Sequence, residues 1–133
     1  MNKDIAEKWY KQALHDLEMA EKNISIQGYD ISAFKKDALP KIFNKIKPEK
    51  ILLFGSQATG KATENSDIDI IIISDFFKNM PFLERMPFVL KLIQFPKHVD
   101  IICYSREEFQ KMKDKSSILI DALKNGKELM ITA

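Results

Sequence analysis

Cysteine occurs once, at Cys103, so the chain has no internal disulfide. Its setting in the apolar run Val99–Tyr104 predicts a buried thiol rather than a nucleophile, and a disulfide-free chain fits the reducing cytoplasm. Arginine is almost as scarce: of 21 basic residues only Arg85 and Arg106 are arginine. The chain is therefore short of the planar forks that grip phosphate bidentately, and any hold on phosphate must come from metal, backbone or lysine. An excess of one charge is missing too. With 21 basic and 19 acidic side chains the formal charge is +2, too small for the broad positive field of a nucleic-acid binder. Apolar runs such as Ile70–Ile73 are far too short to cross a bilayer, and Met1–Tyr10 is charged without an apolar signal core. These absences predict a cytoplasmic chain with no membrane partner. His15 and His98 have no cysteine or second histidine at ligand spacing, which argues against zinc.

What is present is enough for one compact domain with a real core, at 133 residues and 45% hydrophobic content. From Asp4 to about Ile26, apolar Ile5, Ala6, Trp9, Ala13, Leu17 and Ala20 recur at helical spacing. This amphipathic segment, interrupted at Gly28-Tyr29, sets residues 1–35 apart from a main domain over 36–133. A second helix is expected over Asp37–Lys47, with Pro40 in its first turn and Pro48 ending it. Lys50–Phe54 reads as a short strand running into Gly55-Ser56. After the polar stretch Gln57–Asn65, Ser66-Asp67-Ile68-Asp69 leads into four isoleucines, the mark of a strand buried on both faces. Phe82–Phe95 reads as a helix and His98–Tyr104 as a third strand carrying Asp100. Ser105–Lys113 and Ser116–Lys124 read as helices, the last capped at Asn125-Gly126. Helices alternating with three strong strands indicate an α/β or α+β fold in which helices cover a small mixed sheet.

The chemistry concentrates in the aspartates. Residues i and i+2 of a strand share a face, so Asp67 and Asp69 project together with Cα atoms roughly 6.5 Å apart. Two carboxylates beside four isoleucines repel each other and desolvate badly unless a cation or a proton removes charge. A hard divalent ion such as Mg2+, which takes oxygen ligands and leaves positions for substrate phosphates, resolves the conflict. Asp100 adds a third oxygen donor if its strand lies beside the first. Taken singly, Asp67 also reads as a turn residue after Asn65-Ser66, and Asp100 as a solvent-facing residue of an edge strand. Gly55-Ser56 supplies a complementary feature: a glycine at a strand end lets backbone approach a ligand, and a following serine can open a turn whose N–H groups face an anion. A plain loop is the other reading of that dipeptide.

The order of strand, Gly55-Ser56, Gly60, Ser66-Asp67-Ile68-Asp69 and a later strand with Asp100 resembles the minimal nucleotidyltransferases of the DNA polymerase β superfamily. The likeness covers roughly residues 51–100, and more loosely through Met130. It implies an α+β fold with a mixed sheet and transfer of a nucleoside monophosphate, AMP from ATP, onto a hydroxyl. It further implies that Asp67 and Asp69 ligate two Mg2+ ions, that Asp100 holds the catalytic one and helps deprotonate the acceptor, and that Gly55 and Ser56 contact the triphosphate. Ser66 belongs to the same motif. Many members read G-S-R-A-R-G where this chain has Gly55-Ser-Gln57-Ala-Thr59-Gly60, and Lys61 replaces part of the lost charge as a point cation.

Trp9, Ala13, Asp16-Leu17, Ala20 and Gly28-Tyr29 also look like the opening helix of HEPN proteins, the usual toxin partners of minimal nucleotidyltransferases. An ordinary amphipathic helix is the alternative. Neither arginine precedes a histidine at the HEPN ribonuclease spacing, so no ribonuclease activity is expected. The leading expectation is an antitoxin enzyme that nucleotidylates a HEPN partner; the alternative is a non-catalytic subunit that neutralises the partner by contact. A small-molecule acceptor is a third possibility, and it would need a second subunit or homo-oligomer to complete the pocket.

Overall fold

The computed structural model describes residues 6–12, 31–60 and 67–130. Residues 6–12 are helical, with Trp9 and Tyr10 exposed; the remainder of the expected N-terminal helix and Gly28-Tyr29 lie outside the described residues. Residues 31–45 form one helical run whose middle, Phe34–Ala38, is a π-turn and whose end is α1 (Leu39–Lys45). Pro40 lacks an N–H, and in a regular helix its ring would strike the carbonyl of Lys36. The wider turn ahead of it, in which Leu39 N–H donates to Phe34 O, relieves that clash. The expected start at Asp37 is thus corrected: the run is already helical at residue 31, and Pro40 lies inside it. Phe34, on the N-terminal side of the expected division at residue 35, is fully buried and meets the Phe95 ring edge-on at 5.5 Å.

The other elements are β1 (Lys50–Phe54), α2 (Ser56–Thr59), β2 (Ile68–Ile73), α3 (Phe82–Ile93), β3 (Val99–Tyr104), α4 (Arg106–Met112), α5 (Ser117–Asn125) and β4 (Lys127–Glu128). The sheet order is β3-β2-β1-β4, with β1 antiparallel to both β2 and β4, and β2 parallel to β3. This is the α+β fold with a mixed sheet that the sequence predicts. β4 was not expected, because two exposed charged residues carry no strand pattern; Gly126 sets it up. Gly126 ends α5 in an extended conformation rather than as a left-handed cap. A side chain there would run into the Ala122 and Leu53 carbonyls.

Alternation sorts the strands into two cores. Ile51, Leu53, Ile70, Ile72, Val99, Ile101 and Cys103 face one side, where Leu39 and Ile42 of α1 and Val89 and Ile93 of α3 cover them. Leu52, Ile71 and Ile73 face the other, under Phe109 of α4 and Leu119 and Ala122 of α5. Each isoleucine of β2 thus finds an apolar layer, which is why the strand needs no polar face. Among the described residues Ser74, Ser105 and Arg85 are the buried polar side chains, and Arg85 is the charged one. Its side chain is 5% exposed, with Nε donating to Met80 O at 2.9 Å and Nη1 to Cys103 O at 3.1 Å and to Glu108 Oε1. Glu108 also accepts from the Ser105 N–H, while Ser105 Oγ accepts from Glu108 N–H, a capping box that starts α4. Burial pushes the Cys103 thiol up to about 12, so it stays protonated and unreactive. Among the described residues no helix is long and apolar enough to cross a membrane.

Candidate active site

Sheet register brings together residues far apart in the chain. Phe54, the last residue of β1, pairs with Asp69 of β2, and Asp69 pairs with Asp100 of β3. The end of one strand therefore meets the beginnings of two others. Asp69 and Asp100 fall in the alternation of Ile71, Ile73, Ile102 and Tyr104, and so share the face covered further along by α4 and α5. Beyond that cover the face opens: Asp67 is exposed, and Asp69 and Asp100 are half-buried.

The carboxyls crowd. Asp69 lies within hydrogen-bonding reach of Asp100, and its pKa is pushed up to about 6, first by burial, then by the Asp100 carboxyl and the charge of Asp67; His98 opposes the shift. Asp100 Oδ1 sits 2.9 Å from His98 Nε2, and that hydrogen bond, with the charge of Asp100, raises the imidazole pKa. Donor atoms of Asp67, His98 and Asp100 all lie within 4.8 Å of one another, a grouping able to hold a metal ion.

Gly55 forms the floor. It adopts φ 72°, ψ −155°, a conformation essentially confined to glycine, and a Cβ there would meet Asp69 Oδ2 at 2.6 Å. The backbone before α2 thus presses directly on the central carboxylate. Ser56, half-buried, opens the single turn of α2, where Ala58 N–H donates to Gly55 O at 3.1 Å and left-handed Gly60 closes the turn. Gly55 and Ser56 are thereby beside the aspartates; Lys61 and Ser66 lie outside the described residues.

In the sequence His98 was set aside as a zinc ligand; its two-residue spacing from Asp100 places both on one face, and the side chains do meet. Arg85 gave no signal of burial. It is held between the Phe77 and Phe82 rings, 5.9 and 5.6 Å from their centroids, and serves the fold.

Crowded carboxyls on a glycine-floored strand end are a fitting seat for divalent cations. A family model described as nucleotidyltransferase domain matches residues 36–128. A protein of Methanocaldococcus jannaschii, named by assignment as a protein adenylyltransferase, is 36% identical over 62 residues, 47% of this chain and 58% of the relative. This chain therefore spans little more than half the length of that relative. The crystal structure of a chain assigned as a nucleotidyltransferase from Sulfolobus solfataricus superimposes with TM-score 0.56 at 24% identity, covering 79% of this chain and 83% of that one, a likeness of fold. A chain from a crystal structure of a toxin–antitoxin with AMP-PNP gives TM-score 0.49 at 24% identity over 74% of this chain and 73% of that one.

Proposed function

The chain belongs to the nucleotidyltransferase domain family, and on that premise we propose that it is an enzyme that moves AMP from ATP, with Mg2+, onto a hydroxyl of a protein partner. The observation that carries the proposal is the register Asp69↔Asp100 across parallel strands, which gathers carboxylates against the Gly55 backbone. The donor set fits magnesium: carboxylate oxygens, partly open to solvent, whose mutual repulsion a cation relieves.

Asp67 and Asp69 would hold both ions, and Asp100 the one on the acceptor side. When bound, the ions neutralise the triphosphate and make the attacking hydroxyl more acidic. The chain's own groups do the rest. Gly55, free of a side chain, lets the triphosphate approach the backbone, and Ser56 contacts its tail. Lys61 contributes a point charge in place of the arginines that positions 57 and 59 lack, and Ser66 borders the nucleotide. An Asp100 carboxylate oxygen takes the proton of the acceptor hydroxyl.

A protein acceptor is supported by the assignment of the Methanocaldococcus relative as a protein adenylyltransferase. The partner we propose is a HEPN-type toxin, as the sequence resemblance implies, with the chain acting in the cytoplasm as its antitoxin. Incubation with α-labelled ATP, Mg2+ and a HEPN-type partner tests the proposal: label should pass to the partner, and Asp69→Asn should abolish transfer. Transfer undiminished in Asp69→Asn would overturn the assignment of the aspartates.

A further inference from the structure

The site contains one donor that a set of carboxylates does not need. His98 Nε2 stands 2.9 Å from Asp100 Oδ1, and both atoms, with an oxygen of Asp67, fall within 4.8 Å of one another. Stability does not explain the contact: the two side chains are 65% and 50% exposed, and ion pairs so open to water contribute little. The spacing suits a different role. Ligands adjacent on an octahedral ion with bonds of 2.0–2.1 Å are roughly 2.9 Å apart, and opposite ones roughly 4.2 Å. The His98–Asp100 separation matches the first distance, and an oxygen of Asp67 lies within 4.8 Å of both.

We propose that His98 is a direct metal ligand, which makes this a mixed nitrogen–oxygen site that prefers Mn2+ or a similar first-row ion to Mg2+. The inference rests on the reading of Asp67, Asp69 and Asp100 as the metal-holding carboxylates, and adds a ligand and a preference to it. Magnesium is hard, holds water tightly and gains little from imidazole, whereas manganese has the same octahedral habit and accepts nitrogen alongside carboxylate. His98 immediately precedes β3, and its side chain is exposed. A small rotation of an exposed imidazole replaces the bond to Asp100 Oδ1 with a shared bond to the ion.

The test uses the full chain without nucleotide. Mn2+ is titrated into wild type, His98→Ala and Asp69→Asn, each first shown folded by circular dichroism; affinity is followed by EPR, and nitrogen coupling to bound manganese by pulsed EPR. Wild type should show nitrogen coupling that His98→Ala loses, and its Mn2+-over-Mg2+ affinity ratio should fall at least about tenfold in that variant. Manganese bound without nitrogen coupling, or with coupling that persists in His98→Ala, overturns the inference. The carboxylate reading then stands or falls separately, on whether Asp69→Asn abolishes Mn2+ binding. A wild-type chain that binds no Mn2+ at all overturns both.

Discussion

Asp69 Oδ2 rests so close to Gly55 that a single methyl group on the glycine would meet it at 2.6 Å. Residue 55 is constrained from two directions, by the carboxylate beside it and by its own backbone at φ 72°. Gly55→Ala is expected to lower folding stability by about 1–3 kcal/mol, the usual cost of forcing a side-chain-bearing residue into such a conformation. It should also displace the Asp69 carboxylate and weaken metal binding. Urea denaturation and metal titration of the same sample check both, and an alanine variant with wild-type stability and affinity contradicts the account.

Asp69→Asn should make the metal-free protein more stable, because it removes a half-buried charge that faces both Asp100 and Asp67. In EDTA, the thermal midpoint should rise by a few degrees; with saturating Mg2+ the order should reverse, since only the wild type gains binding energy. Differential scanning calorimetry under the two conditions provides the comparison.

The raised pKa of Asp69 sets a pH window. Its folded value of about 6 lies above the ordinary 3.8, so between those values the folded chain holds a proton that the unfolded chain has released. The stabilisation from that proton is complete below about 3.8 and is lost as pH rises through about 6. The wild-type protein without metal should therefore lose more stability than Asp69→Asn as pH rises across this interval. Metal affinity should move the opposite way, falling as pH drops below about 6, because proton and cation compete for one carboxylate. Urea midpoints and Mn2+ titrations across the range measure the two slopes.

Arg85→Met keeps the bulk of the buried side chain but leaves the carbonyls of Met80 and Cys103 without their guanidinium donor and Glu108 without its partner. Each buried group left unsatisfied costs about 1–3 kcal/mol, so a clear drop in the urea midpoint is expected. Arg85→Lys should recover only part of it, since one ammonium cannot serve three acceptors in the guanidinium's geometry.

Much of this arrangement was legible in the residues. The four isoleucines correctly implied a strand covered on both sides, whereas Asp67, expected to share a strand face with Asp69, lies one residue before β2 begins. Pairing of Asp69 with Asp100 was not legible, because it depends on which strands are neighbours and in what register, and nothing local to either strand encodes that. The π-turn before Pro40 was missed because proline near a helix start and proline inside a longer helix look alike over a short window. β4 was missed because Lys127 and Glu128 take strand form only through their pairing with Leu52 and Leu53. Nothing in the residues around Arg85 marked its place, because its burial depends on two phenylalanine rings and a helix-capping glutamate that meet only in the folded chain.

The alternation that buries Val99, Ile101 and Cys103 on one side of β3 has a consequence beyond stability. If that strand slid by one residue along β2, Asp100 would turn into the greasy interior, and its partner across the sheet would change from Asp69 to a neighbour of the wrong chemistry. The hydrophobic residues thus act as a vernier for the acidic ones: a substitution at Ile101 that never touches a nucleotide can still silence the chemistry, by making the wrong alignment as comfortable as the right one.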